Sequence, residues 1–256
     1  MSDTPGKMRI GFVVNDVATE QDNYTTIRLA RRALARGHQV ALLGLADFTY
    51  DADGTVRACA HMPCEPDDAD DAALLADLQS DGCPTEQIAV DDLDVLMLRS
   101  DPADEMVERP WAPGCGLLFA QLAALRRPLV VNDPTHLTDA SNKTYFQHFP
   151  EIVRPVTCIS RDPVQIKAFI EARDGFGVIK PLQGSGGQGV FVVTPDSAGN
   201  LNQMIDAVLR DGYAIAQEYL PKAKDGDLRL LMLNGRPLEV DGTYACIRRY
   251  NDSGDA

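Results

Sequence analysis

The sequence predicts an α/β fold that turns α+β in its second part. Three observations carry that reading. The chain opens on a strand, a helix and a second strand; apolar runs bounded by Gly, Pro and Asp then alternate with helical stretches to about residue 133; and a glycine-rich loop further on has strand-like sequence on both sides. With 256 residues, 45% of them hydrophobic, the chain can bury a sizeable core in more than one domain.

The opening stretch "MRIGFVVND" (8–16) reads as a buried strand. "YTTIRLARRALARG" follows as a helix with Ile27, Ala30, Arg31 and Leu34 on one stripe and Gly37 as its stop. "QVALLGL" closes a β-α-β unit, which implies a right-handed crossover and parallel strands. Residues 59–92 are acidic and contain prolines, and are expected to form a solvated insertion with a short helix. "DLDVLMLRSDP" carries a buried strand at 93–98 that ends in Arg99, Asp101 and Pro102. "GLLFAQLAALRRP" is a helix and "LVVND" a strand. "DPTHLTDASNKTYFQHF" begins helically, capped by Asp133 or Thr135, with Asn142 and Lys143 in its middle. Beyond it come the strand "VRPVTCIS", a helix capped by Asp162 with Pro163 near its first position and Gly175 as its stop, and the strand "FGVIKPL". After the glycine loop, "GVFVV" is a strand, "NLNQMIDAVLRDG" a helix and "YAIAQEYL" a strand. "DLRLLMLNGRPLEV" is a hairpin that turns on Asn234-Gly235.

Composition removes several classes of function. The formal net charge is -14 and no basic stripe occurs, so neither nucleic acid nor an anionic membrane surface is an expected partner. No apolar run approaches the ~20 residues of a membrane helix, and the N-terminus is too polar for a signal peptide. The six cysteines are scattered, with no C-x-x-C pair, and His38, His61, His136 and His148 fit no ligand spacing. A soluble, cytoplasmic protein with reduced thiols and no zinc is expected.

The chemistry-bearing stretch is "VIKPLQGSGGQGVFVV" (178–193), whose Gly184, Gly186 and Gly189 spell G-x-G-x-x-G. A dinucleotide turn needs a helix after the glycines and an acidic residue ~20 positions on. Here Val190-Phe191-Val192-Val193 follow, and no such acid ends the next strand. A protein kinase places its lysine downstream of the loop, yet no lysine occurs between Val193 and Lys222, and neither H-R-D nor D-F-G is present. What remains is a strand–loop–strand flap with Lys180 just upstream. Glycines let backbone N–H groups approach phosphate oxygens, and lysine supplies a compact cation. Lys180 just before such a loop resembles the arrangement of ATP-grasp enzymes; a loose hairpin bend with a surface lysine is the other reading of the loop alone.

The order of elements, together with "LRSDP", "NKTYF", "VIKPLQGSGGQGVF", "AQEYLPKAKDGDLRLL" and "YACIRR", resembles the prokaryotic glutathione synthetase family of the ATP-grasp superfamily over nearly the whole chain. The resemblance implies an N-terminal parallel-sheet pre-ATP-grasp domain (1–133) that binds substrate. An ATP-grasp lid with the glycine-rich loop (134–212) and the start of a C-terminal ATP-grasp subdomain (213–256) would follow. The implied activity is an ATP-dependent ligation of γ-glutamylcysteine and glycine through an acyl phosphate, with ADP and phosphate released. Positioning and electrostatics would carry such catalysis, so no nucleophilic triad is expected.

Carried over residue by residue, Lys143 and Lys180 bind phosphates, and Gly184, Ser185, Gly186, Gly187 and Gly189 cover them. Gln217, Glu218, Tyr219 and Leu220 hold adenosine with Asp227 beside it. Arg99 and Asp101 meet the peptide, and Arg229 and Arg248 meet the developing charge. Without the resemblance, Asp227 and Arg229 read equally as a cross-strand pair and Arg99 as a surface ion-pair partner. Family members continue past this point to a strand with carboxylates for Mg²⁺, which implies that this chain is shortened, that its ATP-grasp domain is incomplete and that its Mg²⁺ ligands lie outside it. Self-association is expected, since members are often tetrameric. Two alternatives stand beside this reading: another ATP-grasp amino-acid or peptide ligase of the glutamate-ligase kind, and a nucleotide-binding remnant without catalysis.

Overall fold

A computed structural model describes residues 6–64, 70–101, 105, 109–140, 142–184 and 187–249. The chain divides into two compact units, one of residues 1–145 with 183–185, the other of 146–182 with 186–256.

The first unit is built on a sheet of seven strands among the described residues. In chain order these are β1 (Arg9–Val14), β2 (Gln39–Gly44), β3 (Phe48–Tyr50), β4 (Val56–His61), β5 (Thr85–Ala89), β6 (Val95–Leu98) and β7 (Leu129–Val131). Across the sheet they run β3-β4-β2-β1-β6-β7, with β5 paired to β4. The pairs β2–β1, β1–β6 and β6–β7 are parallel, as the β-α-β reading requires. Alternation along β1 splits the core in two. Ile10, Phe12 and Val14 face helices α1 (Thr25–Leu34) and α2 (Asp71–Leu78), while Val13 faces the side that helix α3 (Ala112–Ala124) covers. On α1 the buried stripe is Ile27, Ala30, Ala33 and Leu34. Arg31 is only half-buried, and instead pairs with Asp71 at 2.5 Å, joining α1 to α2.

Two expectations need correction. Residues 59–92 are not a solvated insertion. Val56–His61 alternates buried and half-buried, β4 and β5 pair antiparallel, and Leu74, Leu75 and Leu78 of α2 are buried in the core. The acidic residues that dominate this stretch flank the apolar pattern rather than replace it; residues 65–69 lie outside the described residues. The sheet is therefore mixed, parallel at its centre and antiparallel beyond β2. In addition, the helix that Asp133 caps spans only Pro134–Asp139 (α4), with Asp133 accepting from the N–H of Thr135. Lys143 begins a separate 3-10 helix, Lys143–His148, because the Asn142 carboxamide takes the N–H of Thr144 at 3.0 Å and starts a tighter turn.

The second unit holds an antiparallel sheet, β10-β9-β11-β8, made from β8 (Thr157–Ser160), β9 (Gly177–Pro181), β10 (Phe191–Val193) and β11 (Ala214–Gln217). Helices α5 (Pro163–Glu171) and α6 (Leu201–Leu209) cover one face through Ile166, Ile170, Leu201, Ile205 and Val208, packed on Ile179, Val193, Ala214 and Ala216. Asp162 caps α5 as the sequence predicts. Gly177 permits the close approach: a Cβ there would lie 2.3 Å from Cδ1 of Ile170.

The remaining chain forms three short ribbons. β12 (Asp227–Leu230) pairs with β17 (Cys246–Arg249), β13 (Met232–Leu233) with β14 (Arg236–Pro237), and β15 (Glu239–Val240) with β16 (Thr243–Tyr244). The predicted Asn234-Gly235 turn joins β13 to β14 with both residues at positive φ, 50° and 73°. Asp241-Gly242 (50° and 76°) makes the matching turn in the next ribbon. The ribbons meet in a closed ring of hydrogen bonds: Leu231 N–H to Ala245 O (2.9 Å), Ala245 N–H to Leu238 O (2.8 Å) and Leu238 N–H to Leu231 O (2.8 Å).

Candidate functional site

In the second unit the register fixes which side chains oppose the helix-covered face. Ile179 lies across from Ala216 and points into the core, so its neighbour Lys180, across from Ile215, points the other way. Gln217, two residues beyond Ile215, shares that face with Lys180. The ammonium donates to Gln217 Oε1 at 2.8 Å, and Gln217 Nε2 donates to Thr157 Oγ1 at 3.0 Å. Burial holds the Lys180 ammonium below the ordinary lysine value. No carboxylate forms an ion pair with Lys180 among the described residues. A desolvated cation with only a neutral partner is suited to an anionic ligand.

The glycine loop follows directly. Gly184, Gly187 and Gly189 have φ of 103°, 81° and 67°, a conformation that side chains disfavour, and Val190 N–H closes a turn on Gly187 O at 3.2 Å. Ser185 and Gly186 lie outside the described residues. Lys143 is brought to this loop, its Nζ donating to Gly184 O at 2.8 Å.

After β11 the chain leaves the sheet. Glu218 N–H is taken by Val156 O at 3.0 Å, Tyr219 stacks near Phe176 with ring centroids 6.5 Å apart, and Leu220 is exposed ahead of the 3-10 helix Pro221–Asp225. On the β12–β17 ribbon, Asp227 is held by Arg249 in a two-point pair at 2.8 and 2.6 Å. That hydrogen bonding, helped by the charges of Arg249 and Arg229, keeps the Asp227 carboxyl below the usual carboxylate range. Arg248 donates to Asp225 O at 3.3 Å, and Arg229 is exposed on the Asp227 side of its strand.

Arg99 and Asp101 belong to the first unit, at the carboxyl end of β6. The chain leaves β1 toward β2 on one side while β6 lies on the other. That reversal of strand order opens a crevice at the strand ends, the usual ligand position in such sheets. Arg99 N–H bonds Val13 O (2.8 Å), Asp101 N–H bonds Asn15 Oδ1 (2.9 Å), and the Arg99 guanidinium reaches Thr26 Oγ1 at 3.4 Å. Arg109 braces the same loops through Asn15 O (3.1 Å) and Asp16 (3.2 Å).

The structure thus assembles four groups: Lys180 with Gln217 and Thr157, Lys143 with Gly184, Asp227 with Arg249, and Arg99 with Asn15, Asp101 and Thr26. Thr157, Arg249, Asn15 and Arg109 were not anticipated, because each depends on strand register or on a distant loop. Only Arg249, adjacent to Arg248 in "CIRRY", carried a sequence signal.

A half-buried lysine beside a glycine flap on an antiparallel sheet, preceded by a sheet domain that is parallel at its centre, is the arrangement of ATP-grasp folds. Two solved structures share the fold. D-cycloserine synthetase DcsG matches with a TM-score of 0.53 at 15% identity, covering 95% of this chain and 75% of that one. The RimK domain ATP-grasp protein of Sphaerobacter thermophilus matches with a TM-score of 0.52 at 18% identity, covering 87% and 67%. The chain belongs to the prokaryotic glutathione synthetase family: residues 8–138 match its N-terminal domain and residues 142–256 its ATP-grasp domain. Among relatives, glutathione synthetase of Salmonella typhi is 29% identical over 253 residues, 97% of this chain and 73% of that protein. That of Synechococcus elongatus is 27% identical, covering 90% and 70%. The family is one of ATP-dependent ligases. No helix among the described residues is long and apolar enough to cross a membrane.

Proposed function

We propose that the protein joins γ-glutamylcysteine to glycine at the expense of ATP, the reaction named by its glutathione synthetase relatives. The observation that carries this reading is Lys180: half-buried, free of any ion pair among the described residues, and on the sheet face opposite the helices beside a loop of positive-φ glycines. ATP lies on that face. The phosphates meet Lys180, Lys143 and the N–H groups of the loop, and the adenine edge meets the backbone of Glu218–Leu220. The peptide carboxylate takes the γ-phosphoryl group and releases ADP. The glycine amine then attacks the acyl phosphate carbon, forms the amide and expels phosphate. Arg229 and Arg248 face the developing charge, and the first 133 residues take the peptide through Arg99 and Asp101.

No group of three or more His, Cys, Asp or Glu side chains placed to hold a metal ion occurs among the described residues. The described residues do not make up a Mg²⁺ site, and no step is assigned to one.

The test is coupled ADP release in Mg²⁺-containing buffer with γ-glutamylcysteine and glycine together, each alone, and neither. Release only with both supports the reading, and no rise above the ATP-only rate sinks it. Lys180→Ala is expected to lower the rate roughly a hundredfold or more, the scale of losing one preorganised charge donor, and to remove the protection that ATP gives the loop against proteolysis. Unchanged protection takes Lys180 out of the site.

A further inference from the structure

Glu20 follows the 3-10 helix Val17–Thr19 in the loop between β1 and α1, close enough to Arg99 to feel its charge. Its carboxylate oxygen Oε2 is buried and has no hydrogen-bond partner among the described residues. An orphaned buried acceptor is costly, and a native structure keeps one where a ligand or another function satisfies it. Burial raises the Glu20 carboxyl to about 7, and the nearby positive charge of Arg99 acts against that rise. The two groups feel each other, yet they form no ion pair. Among the described residues, the Arg99 guanidinium reaches the Thr26 hydroxyl alone, at 3.4 Å.

The backbone that holds them is fixed from a distance. Gln79, at the C-terminal end of α2, donates through Nε2 to the carbonyls of Val17 (2.9 Å) and Glu20 (3.1 Å). Asn15 anchors the loop after Arg99 through Asp101 N–H. A carboxylate and a guanidinium held close but apart, on braced loops at a strand-order reversal, match a ligand that carries an ammonium and a carboxylate on one carbon.

We propose that Glu20 and Arg99 recognise the α-amino acid end of the substrate, Glu20 taking its α-ammonium and Arg99 its α-carboxylate. Resting on the function proposed above, this identifies which end of γ-glutamylcysteine the first unit grips. The peptide bond there runs through the side-chain carboxyl, so both α groups stay free and charged. Bidentate guanidinium–carboxylate geometry suits Arg99 to its share, and the orphan Oε2 gives the ammonium an acceptor.

The test is calorimetric titration of the full chain, with a non-hydrolysable ATP analogue present. The probes are γ-glutamylcysteine, its N-acetyl derivative and its α-carboxamide, followed by free glutamate and D-alanine. On the unmodified protein, N-acetylation and amidation are each expected to weaken binding about tenfold or more, since hydrogen bonds to charged groups are lost. Glu20→Gln should erase the discrimination against the N-acetyl form and keep that against the amide, and Arg99→Met should do the reverse. Equal binding of the N-acetyl form to the unmodified protein, or discrimination that survives Glu20→Gln, overturns the proposal and leaves the ligase reading standing. If γ-glutamylcysteine does not bind but glutamate or D-alanine does, with Glu20-dependent discrimination against its N-acetyl form, the recognition pair stands and the peptide assignment falls. Binding of none of these probes overturns both.

Discussion

In the first unit, β1 reads R-I-G-F-V-V and buries five of its six residues, whereas every residue of β12 to β17 is exposed. Both regions are β structure, but different forces set their register. A one-residue slip in β1 would exchange the side chains facing α1 with those facing α3, so burial alone fixes the pairing. The ribbons have no such constraint, and expose Leu228 (70%), Leu233 (65%) and Met232 (55%). Their register comes from turn chemistry, two Asx-Gly pairs at positive φ, and from the hydrogen-bond ring at Leu231, Leu238 and Ala245.

Truncation in each region tests this contrast most strongly. Leu42→Ala, at a fully buried position of β2, is expected to cost ~2–5 kcal/mol by urea denaturation, against ~0.5 kcal/mol or less for Leu228→Ala. Comparable losses would mean that the ribbons are held by burial after all. A smaller effect belongs to the turn. Gly235→Val forces a β-branched side chain to φ 73° and should destabilise the β13–β14 ribbon by ~1–2 kcal/mol, read as faster amide exchange at Met232 and Leu233 with the first unit unchanged. Unchanged exchange there would remove the turn as the source of register.

A further test is in pH dependence. Glu20 is raised from 4.5 to about 7, so the folded state binds the extra proton. Its stabilising contribution is complete below about 4.5 and is lost as pH rises through about 7. Asp227 is shifted the other way: its contribution is present above 3.8 and lost as pH falls through its lowered value. Glu20→Gln should therefore flatten the decline in stability between pH 4.5 and 7. Asp227→Asn should leave that window unchanged and alter stability only below about 3.8. A slope that persists in Glu20→Gln would assign it to other groups.

The same contrast explains what was legible in the sequence. Apolar runs such as "FVV" and "VLML" announce buried strands, and Asn234-Gly235 announces its hairpin, because each signal is local. The glycine loop and Lys180 were legible for the same reason. β4, α2 and β5 were obscured because acidic residues surround an apolar pattern that only their packing shows. Pairs such as Asp227–Arg249 and Glu20 with Arg99 join residues 22 and 79 positions apart, a separation that only the pairing of strands brings together. Asp227 and Arg229 lie on one side of β12, but the partner of Asp227 is Arg249 of β17.

The hydrogen-bond ring has a mechanical consequence. Each of Leu231, Leu238 and Ala245 gives one bond and receives one, so the ring behaves as an indexing pin through three ribbons. Each of the three bonds continues the ladder of one ribbon, so sliding that ribbon by a single residue breaks the ring there. The three ribbons, too short to be stable singly, are tied to one another at these residues. A surface segment with almost no buried side chains can in this way present Asp227, Arg229 and Arg248 at fixed spacing.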